Sequence, residues 1–468
     1  MDQAVTPLAD AAEAFLADAR IVPFTTPGHK RAPHLVDDFL RQDLPLSSGA
    51  DDLHGHGGYL AAAEGLAAEL WSADLCRFCL NGSTQGNQTL ALAAARPGEQ
   101  VIVSRNLHKS VFAGLVLAGL EPVWIRPEID LRTGLAHAIE TEALAAALAV
   151  APDARAVVLV EPSFVGVVSD VAVLAGLSHE AGLPLIVDQA WGAHFGFHPG
   201  LPAHSLALGA DAIVASAHKT LTSFTQGAYL FAQGGRLDLT RVSEAFDLLH
   251  TTSPSAAILA SLDRARHLMA TRGEGLLGRT LELAAGIRAR LAGVEGLTVV
   301  DSDDRTKIVL ALAATGADGF EVEDDLVREG MRLELANRDT LIPLLTLADT
   351  EETVERLADA FLRSLERRRG TPREPGGASV VWSLEPEVGM SPREAFFALR
   401  ETVPVERAVG RLAAETVAPY PPGIPALAPG EVVTAPLVDA LREAAAAGTR
   451  LAYCADPSLE TIQVVSTT

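Results

Sequence analysis

The sequence predicts an α/β fold built on a mostly parallel sheet, with a smaller α/β unit and a C-terminal α+β unit behind it. Two observations carry this. From about residue 78, short apolar runs alternate with longer helical stretches. The runs are apolar throughout rather than at every second residue, which marks strands covered on both faces. A third observation sets the scale: 468 residues, 48% of them apolar, suffice for two or three domains around a large core.

Taken in order, residues 1–20 read as a short amphipathic helix, with Leu8, Ala11, Phe15 and Ala19 at helical spacing. Two polar loops follow, Pro23–Lys30 and Gly49–Gly58. The predicted strands are Val101–Ser104, Pro122–Ile125, Ala156–Val160, Pro184–Asp188, Ala212–Ser216 and Gly227–Phe231. Helices are expected between them, among them Glu140–Val150 and Asp170–Ala181. Beyond residue 236 the pattern is mainly helical, including Ala256–Arg266. The smaller unit has Leu297–Val300 and Lys307–Ala311 as strands and Val354–Arg367 as a helix. A charged Pro/Gly-rich linker, Glu366–Gly377, then leads to the C-terminal unit. The expected division is therefore 1–268, 269–367 and 368–468.

Composition narrows the function. With 37 basic and 60 acidic residues the net charge is −23. Nucleic acid and anionic membranes both need concentrated basic surface, so neither is an expected partner. Met1-Asp2-Gln3 lacks the basic region of a signal peptide, and no long uncharged apolar run spans a membrane. The expected location is the cytoplasm. Cys76 and Cys79 sit in an apolar run far from Cys454, which suits buried structural thiols in a reducing compartment. Asp51, Asp52, His54 and His56 share a glycine-rich loop, but no further ligands recur at metal-site spacing, so no metal is expected.

The chemistry collects at strand ends, where ligands of such sheets gather. Ala212–Ala215 runs straight into Ser216-Ala217-His218-Lys219. A lysine just past a buried strand is poorly solvated, so its neutral amine is accessible for a Schiff base with an aldehyde such as pyridoxal phosphate (PLP). Asn81-Gly82-Ser83-Thr84 opens a helix and offers N–H groups and hydroxyls to a phosphate. It is neither of the common glycine-rich nucleotide loops. His108 offers a ring to stack on an aromatic ligand. Asp188 ends a buried strand and needs a cationic or hydrogen-bonding partner, which a protonated pyridine nitrogen supplies. Each has a plainer reading on its own: an N-cap, a core histidine, a solvated lysine. Together, in chain order, they describe a PLP site.

These residues also carry a resemblance. Pro27-Gly28-His29-Lys30, Asp51-Asp52-Leu53-His54, Asn81-Gly82-Ser83-Thr84, His108-Lys109-Ser110, Asp188-x-Ala190 and Ser216-Ala217-His218-Lys219-Thr220-Leu221 resemble the Orn/Lys/Arg decarboxylase family in its short form. Thr251–Ser255, Ser391–Ala395 and Pro419–Pro425 match as well, so the resemblance covers nearly all of residues 20–440. It implies a PLP-dependent transferase-like (fold type I) large domain and decarboxylation of arginine, lysine or ornithine to an amine that feeds polyamine metabolism. Carried over by position, Lys219, His108 and Asp188 are the catalytic group. Ser83, Thr84, Gln85, Ser163, Ala190, Ser216 and His218 complete the cofactor-binding set. A homodimer or higher assembly is implied, with sites at the interface and Thr251–Ser255 as a candidate contribution from the neighbour.

The departures from the family pattern bear on substrate. His56-Gly57-Gly58 replaces a common Pro-Glu-Gly, Pro162-Ser163-Phe164 a Pro-Thr-Tyr, and Trp191 a histidine; Thr222 stands where a proline often follows. Two other functions stay open at this point: a different PLP reaction on an amino acid, such as transamination, and a binding protein without turnover. The intact Lys219 and Asp188 count against the latter.

Overall fold

The structure, a computed structural model, describes residues 1–467 apart from 19, 22–23, 45, 47–50, 52–57, 131–132, 134, 376–380, 383, 386 and 421–422. The sequence-based readings at Asp52, His54, His56 and the end of the Gly-rich linker fall outside the described residues.

Seven strands form the main sheet: β1 (Leu75–Cys79), β2 (Gln100–Ser104), β3 (Glu121–Ile125), β6 (Val157–Val160), β7 (Leu185–Asp188), β8 (Ala212–Ala215) and β9 (Ala228–Ala232). A small hairpin of β4 (Ile129–Asp130) and β5 (Leu135–Ala136) stands apart. The order across the sheet is β1-β9-β8-β7-β6-β2-β3, with β9 antiparallel to both neighbours and the pairs from β8 to β3 parallel. Every residue of β7, β8 and β9 is buried, as continuous apolar strands require.

Two cores lie on the two faces. Tyr229 and Phe231 of β9 point into one, with Pro7–Ala17 and Ala256–Leu291 packed over them. Ala228, Leu230 and Ala232 point into the other, beneath Gly82–Ala94 and Lys109–Ala118. Cys76 and Cys79 fall into different cores, because three residues along a strand reverse the face. The two thiols are therefore separated by the sheet and cannot act as a redox pair.

The six predicted strands form with ends displaced by about one residue. Leu75–Cys79 was not predicted as a strand, since Arg77 interrupts its apolar run; in the fold that arginine reaches Glu64 at 3.2 Å. The predicted helix at 256–266 is in fact Ala256–Leu291, 36 residues long, and it passes residue 268 without a break. No glycine-proline stop occurs there, so the helix continues from the large sheet into the core of a smaller sheet.

That core, separate from the two on the large sheet, covers a four-stranded sheet in the order β10 (Thr298–Val299), β11 (Leu310–Ala311), β13 (Thr340–Ile342), β12 (Leu335–Ala336). The last two strands are too short to show a period in the sequence. In the C-terminal part, β14 (Arg400–Pro404) pairs with β17 (Thr461–Val465), and β15 (Ala418–Tyr420) with β16 (Arg450–Ala452). Val405, Val417, Leu441 and Val464 share its core. This part docks on the large sheet through buried Arg105 and Glu431, 2.8 Å apart. Among the described residues no helix is long and apolar enough to cross a membrane.

Candidate active site

The helix Gly82–Ala94 begins directly after β1, and its first turn faces the end of β8. Gly82 has φ +64°, the left-handed conformation that lets the chain turn into the helix. Gly86 allows helix and strand to touch: a Cβ there would lie 2.6 Å from Val214 Cγ1. The approach brings Ser83 Oγ to 2.5 Å from Ser216 Oγ, joining the two hydroxyls at the helix N-terminus.

A hydrogen-bonded line then crosses three elements. Asn87, one turn beyond Ser83, donates from Nδ2 to Asp188 Oδ2 at 2.7 Å and to Ser110 Oγ at 2.9 Å. Because Ser110 Oγ accepts from Asn87, its own hydrogen goes to His108 Nδ1, 2.8 Å away. The Ser110 backbone N–H also points to that nitrogen, at 3.2 Å. This network fixes the neutral tautomer of His108 with its proton on Nε2. Burial pulls the imidazole below its ordinary pKa, with Asp188 opposing and Lys219 and Lys109 assisting. The ring is thus a neutral face rather than a cation.

Asp188 is 3% exposed and also accepts from the backbone N–H of Ala190 at 3.1 Å. Lys219 lies beyond β8 on the short helix Ala217–Thr220. Burial lowers its ammonium pKa, while Asp188 and Glu334 act in the opposite sense. His218 Nδ1 meets the carbonyl of Gly227 at 2.9 Å, and its pKa too is lowered by burial.

A cavity of about 440 Å³ opens between these parts. Ser83, Thr84, His108, Ser163, Asp188, Ala190, Ser216, His218 and Lys219 all line it. Gln85 is the exception: it does not line the cavity. It is turned inward, where its Oε1 accepts the N–H of Leu80 at 3.2 Å and its amide meets His250 at 3.1 Å. One residue along a helix rotates a side chain by about 100°, which takes Gln85 off the face that Ser83 occupies. Thr251–Ser253 is exposed and does not line the cavity; Ser255 caps the next helix.

The sequence reading missed Asn87, which backs Asp188, and several walls of the cavity. Asn87 had a signal, its four-residue spacing from Ser83. Trp191 and Phe164, edge to face at 5.4 Å, stood out in the sequence only as departures from the family pattern, not as partners of each other. Leu335, Asn337 and Thr340 come from the small sheet, and Trp382, Ile424 and Thr449 from the C-terminal part. Among the described residues no group of three metal-type ligands is found.

Comparison with known proteins accords with this geometry. Residues 6–314 match the family described as "Orn/Lys/Arg decarboxylase, major domain", and residues 378–451 match "Orn/Lys/Arg decarboxylase, C-terminal domain". An arginine decarboxylase of Halalkalibacterium halodurans is 34% identical over 464 residues, covering 95% of this chain and 94% of that protein. In fold, the chain is similar to the lysine decarboxylase LdcF of Francisella novicida, with a TM-score of 0.83 at 19% identity, over 99% of this chain and 81% of that one. A structure described as SPT with PLP matches 66% of this chain and 76% of its own, with a TM-score of 0.53 at 15% identity. With matches across both parts and a relative aligned nearly end to end, the chain belongs to the Orn/Lys/Arg decarboxylase family.

Proposed function

We propose that this protein is a PLP-dependent decarboxylase of basic L-amino acids, with L-arginine as substrate. The observation that carries the cofactor is Asp188. Among the described residues its hydrogen bonds come only from the neutral donors Asn87 and the Ala190 N–H, and the Lys219 ammonium acts on it without a direct hydrogen bond. A buried carboxylate so placed calls for a cation arriving from the cavity, and a protonated pyridine nitrogen satisfies it. The rest of the wall fits the same group. Gly82, Ser83, Thr84, Ser216 and His218 lie where a helix N-terminus meets hydroxyls, which suits its phosphate. His108 presents a neutral ring and Ala190 a small side chain, which suits the two faces of a flat heterocycle.

When bound, PLP supplies an electron sink for the pair left at Cα as CO2 departs. The chain's own residues do the remainder. Lys219 carries the amine that binds the aldehyde, and burial keeps that amine more readily neutral than an exposed lysine. The same amine, when not bonded to the cofactor, would be placed to return a proton at Cα. Asp188 would hold the ring nitrogen protonated. Trp382 and Ile424 narrow the cavity from the C-terminal side and restrict water. Support for arginine comes from the 34%-identical relative named for that activity. We place the enzyme in the cytoplasm as a homodimer or higher assembly with sites at the interface, its product entering polyamine metabolism.

The test is CO2 release from L-arginine, L-lysine and L-ornithine by PLP-loaded protein, with Lys219→Ala as control. Release from arginine above the other two, lost in the control, is the expected result. Equal indifference to all three, or consumption of a keto-acid acceptor, would overturn it.

A further inference from the structure

Lys307 is a second lysine beside the cavity, and nothing above uses it. It is 2% exposed, and its Nζ has no hydrogen-bond partner among the described residues. Instead Nζ lies 3.7 Å from the centre of the Trp191 ring and 5.3 Å from that of Phe164. Lys219 Nζ lies 4.3 Å from the same Trp191 ring. One indole thus receives two ammonium groups, which puts the two nitrogens within about 8 Å of each other.

The position is built rather than incidental. Gly166, at φ +86°, makes room for the lysine stem: a Cβ there would lie 2.9 Å from Lys307 Cγ. The backbone of the same loop is tied across, with Asp304 N–H donating to Gly166 O at 2.9 Å and Lys307 N–H to Asp304 O at 3.0 Å. Lys307 therefore reaches the large-sheet site from the turn before β11.

We propose that Lys307 is a positioning residue for Lys219: it pins the Trp191 ring beside the reactive amine and holds a second positive charge there. The inference rests on the reading of Lys219 as the cofactor-binding amine. Charges around the pair are Asp188, Glu334, His108 and His218 near Lys219, and Asp304, itself 3.2 Å from His194, with Glu334 near Lys307. Burial brings Lys307 down to about 8, so at neutral pH most of it is charged. At a separation of at most about 8 Å and an effective dielectric constant of about 20, a like charge lowers the midpoint of the Lys219 nitrogen by roughly 1.5 pH units or more.

The test is a pH titration of the visible absorption of the PLP-loaded protein, with Lys307→Met, Lys307→Gln and Lys307→Arg. Both uncharged variants should raise the midpoint by roughly 1.5 pH units, because the Lys219 nitrogen loses a repelling neighbour. Lys307→Arg, which keeps the charge, should retain the wild-type midpoint. If either uncharged variant loads cofactor and titrates as wild type does, or if the arginine variant shifts as far as they do, the inference is overturned. A wild-type protein without any Lys219-dependent band would instead remove the cofactor reading on which it stands.

Discussion

Asp188, His108 and Lys219 act through what surrounds them, and their neighbours decide how they respond to substitution. Asp188→Ala should cut kcat/KM by about a hundredfold or more, since a charge aimed at the reacting system is lost, while the fold, checked by thermal melting, persists. Asn87→Ala removes the donor that orients Asp188 and the serine that fixes His108. A smaller loss of about 1–2 kcal/mol in transition-state stabilisation, read from kcat/KM, is expected. Glu161 gives a prediction in pH. Burial raises its carboxyl to about 7, despite hydrogen bonds from Ser169 that favour the charged form. A raised folded-state value means the neutral acid is preferred in the fold, so its stabilising contribution is present below about 4.5 and is lost as pH rises through about 7. Glu161→Gln should therefore gain on the wild type by up to about 3 kcal/mol between those limits, measured by urea unfolding at successive pH values. Most of these residues were legible in the sequence because each lies beside a strand end or helix start. Asn87 and Lys307 were less so, because what defines them is a partner 101 residues away for one and a ring from another sheet for the other.

At the scale of elements, the contact between Gly82–Ala94 and β8 sets the cradle, and Gly86 is its tightest point. Gly86→Ala places a methyl against Val214 and should destabilise the protein by about 1–3 kcal/mol. It should also weaken PLP retention during dialysis, since Ser83 would be drawn away from Ser216. A destabilised variant with unaltered retention would show that the close approach serves packing only. The buried strands were readable as continuous apolar runs, and the structure places them within about one residue of expectation. β1 was hidden by Arg77, and β12 and β13 by their shortness. Their register comes from pairing with β9 and β11, which is tertiary information that local pattern does not contain.

At the scale of the molecule, the large sheet, the small sheet and the C-terminal part all contribute walls to one cavity. The fold class was legible from strand–helix alternation alone, whereas the contribution of the small sheet and C-terminal part to the cavity was not. No local pattern tells that Trp382 or Asn337 will line the same cavity as Lys219. The buried Arg105–Glu431 pair clamps the C-terminal part to the large sheet. Glu431→Ala should cost about 3–5 kcal/mol, because it leaves a buried guanidinium uncompensated, and should raise KM more than it lowers kcat as the wall around Ile424 loosens. The central claim is that the amine of Lys219, not that of Lys307, carries the cofactor. Borohydride reduction of the PLP-loaded protein, followed by peptide mass spectrometry, tests it most directly. A pyridoxyl adduct confined to the peptide containing Lys219 is the predicted result; an adduct on Lys307, or none on either, would contradict the account.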